Sequence, residues 1–212
     1  MGAWKRVYDR FWGWLEEEPT GSNYWRFLRW ALVVMFCYSF SAGFFIVAWK
    51  LPKLFLAEEV VEERIRIIAD FILNGNPYLL FLVLIKIVFW EEFRFRWVPL
   101  FIASKLFKKS YLILLTLVAS SIIFGWIHSP DLENENSYVF IFLQGMGSIV
   151  LSIVYLKCGI LHNKIFKAAF SSFFVHYVFD VLLSAMTIVL FHFLQTNPEG
   201  VLFLKKIGIE SL

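Results

Sequence analysis

The sequence predicts an all-α fold: a polytopic transmembrane helix bundle of five or six spans, with an amphipathic N-terminal segment and an interfacial helix. Three observations predict it. Of 212 residues, 59% are hydrophobic and 20% aromatic, while only 17% are charged; a soluble domain carries roughly 25%. Mean hydropathy is +0.68. The apolar residues also gather into runs long enough to cross ~30 Å of hydrocarbon, which takes about 20 helical residues. This composition excludes a disordered chain, a secreted disulfide scaffold and a nucleic-acid-binding tail protein. The net charge of +3 is too small to imply an anionic partner. Cys37 and Cys158 form neither a disulfide framework nor a metal spacing, and read as small apolar packing residues.

The elements follow in order. Residues 1–28 mix aromatics with charges, as in Trp4-Lys5-Arg6, and read as an interfacial helix ended by Glu18-Pro19-Thr20-Gly21. Residues 30–49 are an uncharged first span. In residues 52–73, Leu54, Ala57, Val61, Ile65, Ile68 and Ile72 recur at spacings of three and four, with Glu62 and Arg66 as an i,i+4 pair on another face. That is an amphipathic surface helix, stopped by Asn74-Gly75-Asn76-Pro77. Residues 77–102, 111–127, 137–156 and 168–196 supply the remaining spans, with a sixth if the last run breaks in two.

Loop charges orient the bundle. Residues 94–109 hold Arg94, Arg96, Lys105, Lys108 and Lys109 without an acid, and residues 129–137 hold Asp131, Glu133 and Glu135 without a base. Lys157, Lys164 and Lys167 lie between the fourth and fifth spans. Basic loops stay in the cytoplasm, so five spans with the N-terminus inside satisfy every loop.

Ionisable residues inside such spans are costly and mark functional sites or pairings within the bundle. Glu91 and Glu92 are neighbours on a helix and differ by 100° in direction. Glu92 has Arg96 at i+4 as a partner. Glu91 has Phe95 there and is left to face a cavity, although Arg94 at i+3 could neutralise it. His128 ends the third span, before Ser129-Pro130. His176 and Asp180, at i,i+4, share a face of the last. A carboxylate, a histidine and a His/Asp pair from three helices can hold and activate a water for acyl hydrolysis. His128, His176 and a carboxylate could alternatively bind a divalent metal such as zinc, and the same groups could line an ion or proton pathway. His162 and His192 lack a patterned partner and read as structural. Measured along ideal helices, Glu91 and His128 differ in depth by roughly 10 Å, which a tilt or kink must absorb.

These residues resemble the CPBP family of intramembrane proteases, which includes the eukaryotic CaaX prenyl endopeptidase and bacteriocin-immunity proteins. The family's Glu-Glu-x-x-x-Arg, Phe-x-x-x-His and His-x-x-x-Asn/Asp motifs have counterparts in Glu91-Glu92 to Arg96, Phe124 to His128 and His176 to Asp180. Phe142 to Gly145 is similar to a Phe-x-x-Gly segment. The resemblance implies an intramembrane glutamic-type peptidase with no cofactor. It implies Glu91 as the base, His128 as the group positioning water, Glu92 and Arg96 as a supporting pair, and His176 and Asp180 at the oxyanion. Asp180 stands where Asn is commoner, and Trp97 where many members have Gly. The chain then divides into an N-terminal region (1–76), a protease-like transmembrane core (77–196) and a tail (197–212). Its expected partners are membrane lipid and a peptide or protein substrate, prenylated or membrane-bound, with no nucleic acid. The expected location is a bacterial cytoplasmic membrane. A non-catalytic binding or immunity protein on the same scaffold is the alternative.

Overall fold

The computed structural model describes residues 2–48, 77–128, 137–198 and 201–202. Every regular element among them is helical. In order they are α1 (Ala3–Glu16), α2 (Gly21–Ala48), α3 (Pro77–Glu92), a π-helical stretch (Phe93–Trp97), α4 (Val98–Leu106), α5 (Ser110–Ile127), α6 (Ser137–Cys158), a 3₁₀ turn (Ile160–His162) and α7 (Ile165–Thr196). The expected surface helix at 52–73 and the acidic loop lie outside the described residues. Contacts group residues 1–40 with 88–176, and residues 41–87 with 177–212. The second group contributes the far ends of α2 and α7 and the first part of α3. The packing described below is that of the first.

Three described helices contain stretches long and apolar enough to cross a membrane: Ser110–Ile127, Gln144–His162 and Ile165–Val189, with mean hydropathies of 2.0, 1.5 and 1.7. Helix α5 shows how they are solvated. Its buried face carries Ile113, Leu117, Ser120, Ser121, Phe124 and Gly125, while Leu115, Val118, Ile122 and Trp126 stand exposed at spacings of three and four. Ser120, Ser121 and Gly125 on the buried face, and large apolar residues on the exposed one, suit a bundle whose solvent is lipid. Helices α5 and α6 approach closely. A Cβ on Gly145 would sit 3.0 Å from the carbonyl oxygen of Ser121. Below it, Leu100, Ile113, Leu117, Tyr155, Leu156, Ile160 and Ala168 form one apolar cluster drawn from α4, α5, α6, the 3₁₀ turn and α7.

The N-terminal helix ends just before Glu18-Pro19-Thr20-Gly21, as expected, but the next helix starts at Gly21 rather than at residue 30. Pro19 ends the first helix, and α2 starts at Gly21, whose φ of +52° favours glycine. Arg26 and Arg29 therefore ride on the first turns of the span helix and stay exposed, as long basic side chains do at an interface. Helix α1 buries Leu15 and packs Trp12 against the apolar cluster. The Tyr8 hydroxyl shares a hydrogen bond with Ser110. Lys157 of α6 donates to the carbonyl oxygens of Trp14, which also accepts the Glu17 N–H, and of Glu17 just beyond the end of α1. Glu18 then clamps Lys164 at 2.7 Å and Lys167 at 2.5 Å.

Two outcomes follow from this packing. Gly145→Ala forces α5 and α6 apart and is expected to cost about 1–3 kcal/mol, the usual penalty of overpacking, read as a lowered Tm in detergent. Hydrogen bonds from Lys164 and Lys167 hold the Glu18 carboxyl down at about 2, from an ordinary 4.5. A depressed carboxyl contributes stability that is full above its unfolded pKa and disappears as pH falls through the folded one. The stability advantage of wild type over Glu18→Gln should thus be constant above about pH 4.5 and shrink steadily towards pH 2 in thermal unfolding.

Candidate active site

The helix carrying the two glutamates does not continue as one α-helix. After Glu92 it widens into the π-helical stretch and resumes at Val98, with Pro99 in its first turn. A π-helical insertion is a recognised cause of kinking and recurs at functional sites. Here it lies in the helix for which the depths of Glu91 and His128 implied a tilt or kink. The stretch is tied down at its C-terminal end. Tyr155 donates its hydroxyl proton to the Trp97 carbonyl oxygen (3.3 Å), and the Trp97 indole N–H donates to Ser172 (3.1 Å). Trp97 is thus a wedge between α6 and α7.

Within this frame the two glutamates part company. Glu92 and Arg96 are both 0% exposed and pair at 2.6 Å. The Arg96 guanidinium lies 4.5 Å above the centre of the Phe124 ring, a cation–π contact that gains strength without water. Arg94 turns away, exposed, with its guanidinium 5.4 Å over the Trp90 ring, so it does not neutralise Glu91. Glu91 keeps 20% exposure and meets two histidines. Its Oε1 is 3.2 Å from Nε2 of His128, the C-cap of α5, and its Oε2 is 3.5 Å from Nε2 of His176 on α7.

Hydrogen bonding fixes where the ring protons lie. His128 Nδ1 is 2.6 Å from the Phe124 carbonyl oxygen, which can only accept, so Nδ1 carries a proton. His176 Nδ1 is 2.8 Å from Glu92 Oε1, the oxygen that also accepts from the Arg96 guanidinium, so it too is the donor. Both rings therefore turn Nε2 towards Glu91. A carboxylate and an unprotonated Nε2 are both acceptors. The 3.2 Å contact of Glu91 with His128 thus holds a shared proton, on one partner or the other. Proton transfer at one carboxylate, flanked by two oriented imidazoles, is the chemistry this arrangement allows.

Of the six residues singled out from sequence, the structure brings Glu91, Glu92, Arg96, His128 and His176 together. Asp180 lies one turn beyond His176 on α7, in the second group of residues. Sequence reasoning gave no role to Phe124. Its ring centre is 4.2 Å from that of His128 and 6.4 Å from that of His176, so it packs beneath the whole cluster. The signal was its position at i−4 from His128. Among the described residues no group of three His, Cys, Asp or Glu is arranged to hold a metal. Cys37 and Cys158 are free thiols.

An all-helical bundle with membrane-spanning helices and a buried Glu-Arg-His centre is the class defined so far: an integral membrane protein with a polar site among its helices. Residues 73–173 match the family model described as type II CAAX prenyl endopeptidase Rce1-like. Over that stretch the chain is similar to the CAAX protease family that the motifs at Glu91 to Arg96 and Phe124 to His128 suggested. The matched stretch contains Glu91, Glu92, Arg96 and His128 and ends three residues before His176. No curated protein and no solved structure gave a significant match.

Because Glu92 and Arg96 are fully enclosed, removing either strands a charge in a dry interior. Glu92→Gln and Arg96→Gln should each cost about 3–5 kcal/mol and lower the yield of folded protein. Glu91→Gln, at a partly open position, should fold nearly as wild type. Size-exclusion profiles and thermal unfolding of the three purified variants check this. The reverse ranking would exchange the two roles.

Proposed function

We propose that the protein is an intramembrane endopeptidase that hydrolyses a peptide bond with a water activated by Glu91. The observation that carries this reading is the division between adjacent glutamates: one sealed against Arg96, the other partly open between two oriented histidines. The family match supports it, since Rce1-like proteins are proteases.

In this mechanism Glu91 accepts a proton from water, and the water oxygen attacks the scissile carbonyl carbon. His128 helps to hold that water. The carbonyl oxygen gains negative charge in the tetrahedral intermediate, where a protonated Nε2 of His176 can donate to it. Glu91 then passes its proton to the amide nitrogen as the carbon–nitrogen bond breaks. Asp180 acts next to His176, by keeping it protonated or by donating a hydrogen bond itself. The Glu92–Arg96 pair keeps the His176 ring in its orientation. No step uses a metal. The substrate is a peptide or protein held at the membrane, with a prenylated C-terminal peptide the first to try. Residues 94–109 face the cytoplasm by their positive charge, in a bacterial cytoplasmic membrane.

Single-turnover cleavage of a farnesylated peptide and its unprenylated form, by purified protein in detergent, tests the reading. Glu91→Gln should lose about 10²–10⁴ in rate, the span of general-base catalysis, while unfolding at the wild-type temperature. Asp180→Asn should retain activity, and Asp180→Ala should lose on the order of 10²–10³. Activity should survive strong chelation. A folded Glu91→Gln that cleaves at the wild-type rate overturns the mechanism, and activity lost on chelation and restored by zinc replaces it with a metal-dependent one.

A further inference from the structure

We propose that a basic cleft at the start of α5 binds the phosphate headgroup of an anionic phospholipid. The cleft is far from the Glu91 site: Ser110 opens α5 and His128 closes it, about 27 Å along the helix. It is an open concavity of about 560 Å³ between α1 and the turn from α4 to α5, within the size range of small-ligand sites.

Its charge is of one sign. Lys5 comes from α1, Lys108 and Lys109 from the turn, and no acidic residue lines it. Among the described residues none of these three ammonium groups is in an ion pair. Two of them also occupy an unfavourable place. Lys109 is the N-cap of α5 and makes no capping hydrogen bond, and the first turn contains no acid. Lysines at the positive end of a helix dipole repel it, and an anion at that place relieves both. The first turn of α1, where Lys5 sits, likewise has no acid. The small net charge of the chain hides this local concentration. The Tyr8–Ser110 hydrogen bond fastens α1 to α5 at the floor of the cleft and keeps the three lysines together.

The position of the cleft selects the source of the phosphate. The apolar stretch of α5 begins at Ser110 itself, so the cleft lies at the edge of the hydrocarbon. Its rim is aromatic, with Trp4 86% and Tyr111 53% exposed, the side chains that favour headgroup depth. Trp4 also heads an exposed stripe with Val7, Phe11 and Trp14 along α1. A helix with such a stripe lies in the interface and delivers its neighbouring lysines to the headgroups.

The test is thermal unfolding of the full chain in zwitterionic detergent, titrated with dihexanoyl phosphatidylglycerol, dihexanoyl phosphatidylcholine or inorganic phosphate. The phosphatidylglycerol should raise Tm saturably, and the other two should not. Each lysine removed should weaken binding roughly five-fold, the equivalent of about 1 kcal/mol per basic residue at an anionic surface. Lys108→Gln with Lys109→Gln, and Lys5→Gln alone should the double variant fold poorly, should both show it. Arg94→Gln, exposed and outside the cleft, should bind as wild type. An equal shift with phosphatidylcholine would assign the effect to acyl chains, and an equal shift with phosphate to a soluble anion. Either result, or undiminished affinity in a folded lysine variant, overturns the proposal.

Discussion

The buried Glu92–Arg96 pair is the constraint on which the centre of the molecule depends. Neither side chain touches solvent, and two ions in such a place are tolerated only with good geometry and further contacts. The protein supplies a short hydrogen bond, the face of Phe124 beneath the guanidinium and the N–H of His176 on the same carboxylate oxygen. Those contacts come from α5 and α7. Holding this ion pair of α3 and the π-helical stretch therefore draws three parts of the chain into a single register. The pair is better understood as a device for position than as a source of net stability.

Position is what the neighbouring residue needs. Glu91 can face two histidines only because each histidine is held by its other nitrogen, one on the Phe124 carbonyl and one on Glu92. The π-helical stretch contributes in the same way. Its C-terminal carbonyl is taken up by Tyr155, and the indole that follows the buried arginine is secured by Ser172. Trp97, a bulky residue beside the charged centre, thereby becomes part of the scaffold.

At the basic end, the amphipathic helix α1 is joined to the bundle by polar contacts as well as apolar ones. Lys157 closes the end of α1, Glu18 collects two lysines from the start of α7, and Tyr8 reaches Ser110. The excess of basic residues in these loops has two separable uses: some lysines are consumed by carbonyl and carboxylate partners within the fold, and those at the start of α5 remain turned outward.

Much of this was legible in the chain because it is local. Apolar runs decide which segments can enter lipid, since the cost of a charge there is paid residue by residue. The i,i+4 spacing of Glu92 and Arg96 is enough to pair them, and the order of three short motifs is enough to suggest the family that the match over residues 73–173 supports. Other features depend on contacts between distant segments. The alternation Phe93-Arg94-Phe95-Arg96 does not say that one arginine will be sealed in and the other left over Trp90, because that depends on the π-helical turn and on the ring of Phe124, far from Arg96 in sequence. Nor does a histidine's position tell which nitrogen will carry the proton. For His128 the acceptor is the carbonyl of Phe124, one turn back on the same helix, but for His176 it is the carboxylate of Glu92, which reaches the ring only once the helices are packed.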